Sequence, residues 1–82
     1  MVNDNSRERS VFSDAVAAQI RAERAAKKMT QTDLVKASGI PRTTYLRLES
    51  GERVADTTQL YRITEALGLS LSEFFRRVEE RR

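Results

Sequence analysis

The side chains best equipped for chemistry in this chain are arginines. In the stretch R42-T-T-Y-L-R47 two of them flank a pair of threonines, a tyrosine and a leucine. A guanidinium group is a planar, permanently charged fork that bonds two acceptors at once, which suits phosphates, carboxylates and the O6/N7 edge of guanine. Catalytic chemistry has no such footing. The sequence contains no Cys and no His. That removes disulfides, thiol nucleophiles, zinc fingers and iron–sulfur clusters, and also the commonest acid–base and metal-binding side chain. No nucleophile, base and orienting group cluster along the chain. The sequence therefore predicts no enzyme, no cofactor, no metal and no small-molecule ligand.

The charge balance points the same way. Net charge is +3, from 15 Lys+Arg against 12 Asp+Glu, and twelve of the fifteen bases are Arg. Residues 1–29 carry +2, residues 30–55 carry +1 and residues 56–82 are neutral. A basic bias confined to the first two-thirds permits a polyanionic partner without requiring one. Mean hydropathy is −0.58. No apolar run approaches the roughly 18 residues of a membrane span or forms the core of a signal peptide. The expected setting is cytoplasmic.

These arginines need elements to hold them. At 82 residues, 39% hydrophobic, with one Pro and three Gly, the chain has the makings of one small all-α domain. Residues 1–10 lack periodicity and are expected to be a disordered leader, with a domain over 11–80. A first helix is expected over 13–28, with Ser13 as N-cap and Lys27 and Lys28 at its negative end. Its many alanines imply close packing on a neighbour. Thr30 with Asp33, Asp56 with Gln59, and Ser70 with Glu73 each have capping-box spacing. Gly39, Gly51 and Gly68 stand where helices must end, and Pro41 is expected just inside a helix start. Helices are thus expected over 31–38, 41–50, 57–67 and 71–80. Leu34 and Val35, then Leu60, Ile63 and Leu67, face inward, and Leu69, Leu71, Phe74 and Phe75 close the core.

Residues 31–50, a short helix, a Gly turn and a second short helix, make a helix-turn-helix. On a wheel of about 100° per residue with Arg42 at zero, Leu46, Ser50, Thr43 and Arg47 fall between about 40° and 140°. Pro41, Tyr45 and Leu48 cluster at about 240–300°, on the opposite, apolar side. The outer face has no acid and carries guanidinium groups, a hydroxyl and an apolar group able to meet a thymine methyl. Thr44, toward the rim, and Arg53, in the following loop, are suited to phosphates.

At this point the chain resembles a known family, the lambda-repressor-like (Cro/xenobiotic-response-element) DNA-binding domains. The resemblance rests on M-T-Q at 29–31, Leu34, S-G-I at 38–40, R-T-T-Y-L-R-L-E-S-G at 42–51 and A-L-G-L-S-L-S-E-F-F at 66–75. It implies a compact five-helix domain that binds double-stranded operator DNA and regulates transcription, most simply as a phage or bacterial repressor. Arg42, Thr43, Leu46 and Arg47 are then the expected base contacts. Gln31, Thr44, Ser50 and Arg53 are the expected phosphate contacts. Arg24 and Glu49 match a family salt bridge that holds the recognition helix. Many relatives dimerise, so a weak homodimer, or a further C-terminal domain beyond this chain, is a further expectation. Three positions depart from the pattern: Val35 for Ala, Lys28 for Gly and Tyr45 for Ile or Val. The alternative reading is a protein-interaction module of the same fold, an antitoxin or adaptor, using Leu71, Phe74, Phe75 and Val78 as its surface.

Overall fold

The structure, a computed structural model, describes residues 5–81, with side chains from residue 11 onward. Five helices follow one another: α1 (Asn5–Ala26), α2 (Gln31–Ser38), α3 (Arg42–Ser50), α4 (Thr57–Leu67) and α5 (Leu71–Glu80). No strand occurs among the described residues. Helices α2, α4 and α5 have the bounds that their caps and glycines predict. Residues 1–4 of the expected leader lie outside the described residues.

Three boundaries differ from expectation. Helix α1 begins at Asn5, so Ser13 lies inside it and caps nothing. The reason is packing beyond Ser13: the Phe12 ring stacks on Phe75 of α5, with centroids 6.3 Å apart, and gives that earlier turn an apolar anchor. At the other end α1 stops at Ala26, before the two lysines. Lys28 then turns the chain with φ +57°, a left-handed conformation that the missing Gly would adopt more easily. Pro41 is the N-cap of α3 and not its first residue. Its ψ of 141° is extended, and its carbonyl accepts the first helical bond from Tyr45 N at 2.9 Å.

The caps explain why such short helices form. Thr30 and Asp33 bond reciprocally, as do Asp56 and Gln59. Ser70 makes only half of its box: its Oγ accepts from Glu73 N at 3.1 Å, but the Glu73 carboxylate turns away to Arg76 and Arg77. Two guanidinium groups outcompete one backbone N–H for that carboxylate. They hold it at a pKa of about 2, well under the ordinary range.

The core gathers one apolar stripe from every helix: Ala15 and Ile20, Leu34, Tyr45 and Leu48, Leu60, Ile63 and Leu67, Phe74 and Val78. Helix α2 packs on α4, and α1 spans α3, α4 and α5. Val35 and Phe75 pack against the core's edge. The alanine stripe of α1 is used only in part. Ala15 and Ala17 are buried, whereas Ala25 and Ala26 are exposed. On α5, Phe74 and Val78 are fully buried, so the face offered to the interaction-module reading is mostly core.

Candidate nucleic-acid interface

Glycine sets the angle between α2 and α3. Gly39 has φ +72° and donates its N–H to Val35 O, which ends α2 and lets Ile40 drop into the core. Ser38 supports the turn, its Oγ accepting from Ile40 N at 3.3 Å. Helix α3 then buries Tyr45, Leu48 and Glu49 and leaves Arg42, Thr43, Arg47 and Ser50 exposed. Leu46 and Thr44 are half-buried, and Leu46 packs in part against the core. One solvent-facing strip of α3 therefore brings together Arg42, Thr43, Arg47 and an edge of Leu46.

What holds α3 at this angle is a cluster built around Glu49, whose side chain is only 4% exposed. Arg24 of α1 grips its carboxylate with two bonds, Nε to Oε2 at 2.7 Å and Nη2 to Oε1 at 3.2 Å. The same guanidinium donates to Met29 O at 2.9 Å, so one side chain ties α1, the turn after it and α3. Gln31 of α2 donates to Glu49 Oε1 at 2.7 Å, and the Tyr45 hydroxyl donates to Oε2. Arg21 donates to the Glu49 carbonyl at 2.6 Å. Burial pushes the Glu49 carboxyl up, but the bonds from Arg24, Gln31 and Tyr45 outweigh it and leave the pKa below its ordinary value. For Tyr45, burial and the bond to Glu49 raise the phenol well above its usual range. The one acid on α3 is thus neutralised and turned inward.

Two of the side chains expected to contact phosphates have partners of their own. The Gln31 amide is committed to Glu49. Ser50 Oγ donates to Arg47 O at 3.1 Å and accepts from Glu52 N at 3.3 Å, closing the end of α3. Arg21 of α1 closes the end of α3 through the Glu49 carbonyl. Arg47 stands beside Glu52 with 3.8 Å between Nε and Oε2, both side chains more than half exposed. Arg53 is exposed in the loop after α3, its backbone N donating to Arg47 O at 3.2 Å. Neither Arg42 nor Arg53 takes part in an ion pair among the described residues. Arg42 Nη1 donates to Thr32 Oγ1 of α2 at 3.0 Å, a partner that sequence reasoning missed. Nothing in the spacing reveals it, because the contact depends on how two helices meet.

Comparison with known proteins gives a consistent picture. The family described as Helix-turn-helix, of Cro/C1 type, matches residues 20–74. Two crystal structures of the clp gene regulator ClgR from Corynebacterium glutamicum are similar, each 26% identical and each covering 85% of this chain. One has a TM-score of 0.79 over 74% of its own chain, the other 0.78 over 91%. No curated protein sequence matches significantly.

Proposed function

The chain belongs to the helix-turn-helix family of DNA-binding transcriptional regulators, and from that premise we propose that it is a repressor that reads an operator in the major groove with α3. The observation that carries this reading is the strip Arg42–Thr43–Leu46–Arg47. Its arginines and Thr43 are exposed, Leu46 adds an edge on the same helix face, and the one acid of α3 is kept out of the strip because Arg24, Gln31 and Tyr45 occupy Glu49. A helix of this width fits the major groove, where guanidinium forks bond guanine O6 and N7 and an apolar edge meets a thymine methyl.

In this reading Arg42, Thr43, Leu46 and Arg47 contact bases. Phosphates are met by Arg53, by Thr44 at the rim and by the first backbone N–H of α2 at Gln31, where the helix dipole favours an anion. The Ser50 and Gln31 side chains serve α3 and Glu49 rather than DNA. Arg47 exchanges a weak exposed pairing with Glu52 for a base edge, at a cost of about 0.5 kcal/mol or less. Repression follows by occupancy: a protein seated over a promoter blocks polymerase.

Selection of bound duplexes from a random DNA pool at about 100 mM salt tests the reading. A recovered motif, which represses a reporter when placed over its promoter, supports it. A palindromic motif reports a dimer and a one-sided motif a monomer. No motif from folded protein refutes it.

A further inference from the structure

We infer that Thr32 is a positioning residue for base recognition, its hydroxyl fixing the Arg42 guanidinium against α2 so that one outward-facing edge is presented to the groove. The inference rests on the proposed major-groove reading and adds to it a residue outside the recognition helix. The observation is the bond from Arg42 Nη1 to Thr32 Oγ1 at 3.0 Å, made between the first turn of α2 and the first residue of α3. Both residues are exposed, so neither is needed for the core.

An exposed arginine without a tether samples many rotamers. Ordering it on DNA then offsets part of what its bonds to the right base contribute, and an untethered fork is also free to turn toward the acceptors of a wrong base. A tether between two helices that are already fixed removes that cost and fixes which edge of the fork faces out. Gln31, the neighbouring side chain on α2, is not available for this because Glu49 takes it. The hydroxyl of Thr32 also has capacity left over. It accepts from Arg42 and keeps its own O–H, which can donate outward to a backbone phosphate and link phosphate contact to base reading.

The test uses the selected duplex and its single-base variants, with binding constants measured for the intact protein and for Arg42→Ala, Thr32→Val, Thr32→Ser and the Arg42→Ala/Thr32→Val pair. Arg42→Ala identifies the base pair that Arg42 reads. Thr32→Val keeps the branched shape and removes the oxygen. It is expected to lower discrimination at that same base pair by about threefold to tenfold while leaving the others unchanged. Thr32→Ser restores the discrimination, and in the double variant loss of the Thr32 oxygen adds nothing there to loss of Arg42. Thermal melting of Thr32→Val stays close to the parent. Equal weakening on every duplex, or relaxed preference at a different base pair, overturns the inference while leaving major-groove reading in place. If Arg42→Ala changes no base preference, the reading of Arg42 itself fails and the inference with it.

Discussion

A single carboxylate, Glu49, organises the interface side of this molecule. It accepts four side-chain bonds from three residues on α1, α2 and α3. Replacing it by Gln keeps the shape and removes the charge, leaving Arg24 half-shielded and without its counter-ion. Glu49→Gln is expected to cost about 2 kcal/mol at pH 7, less than a fully buried pair because Arg24 retains some access to water. In a domain this small that lowers Tm by roughly 10 °C. The sign of the pH dependence follows from the depressed pKa of Glu49 in the folded state. The stability from its ionisation is fully present above its ordinary value of 4.5 and is lost as pH falls through the lower folded value. The gap between parent and variant, measured by urea unfolding at several pH values, is therefore widest at neutral pH and narrows below pH 4.5. A gap that widens on acidification contradicts this. The sequence carried part of this site openly: Tyr45 and Glu49 are four apart on one helix, a spacing that faces side chains together. The bonds from Arg21 and from Arg42 were not legible, since each joins residues on different helices whose approach no spacing encodes.

At the scale of elements, what could be read in advance was punctuation. Helices α2, α4 and α5 have the bounds set by Thr30, Asp56, Ser70 and the glycines because a cap is a local event, complete within four residues. The start of α1 was hidden. It depends on Phe12 meeting Phe75, sixty-odd residues away, and Ser13 offered a plausible cap at the wrong place. The half-made box at Ser70 had a local cause in Glu73 and its two following arginines, so the competition could have been weighed from spacing. Lys28 gives the element-scale prediction. Its φ of +57° strains an L residue by roughly 1–2 kcal/mol, and Gly relieves that while adding unfolded-state entropy. Lys28→Gly is expected to raise stability by about 0.5–1 kcal/mol, read as a Tm increase of a few degrees. A fall in Tm shows that the turn is not strained.

Over the whole molecule, charge is sorted by face. On α5 two arginines are absorbed by acids: Arg76 by Glu73 and Glu80, and Arg77 by Glu73 and the buried Glu23 of α1. Around α3 the sorting reverses, with Glu49 turned inward while Arg42 and Arg53 stand unpaired among the described residues. A near-neutral chain can in this way present a locally positive surface to a polyanion. Binding should fall steeply with salt. Arg53→Ala is expected to weaken binding evenly across duplexes and to reduce the slope of log K against log salt by about 1, because one phosphate contact is lost. A change in base preference on that substitution assigns Arg53 to a base instead.

The most direct test of the account is to place 7-deazaguanine, which lacks the N7 acceptor in the major groove and leaves the minor groove untouched, at the guanine of the selected operator whose preference Arg47→Ala removes. The account predicts that the intact protein loses about tenfold in affinity on this substitution, because the bidentate contact keeps its bond to O6 but loses the one to N7, and that Arg47→Ala binds the modified and unmodified duplexes equally. Equal binding of both duplexes by the intact protein would contradict major-groove reading by α3.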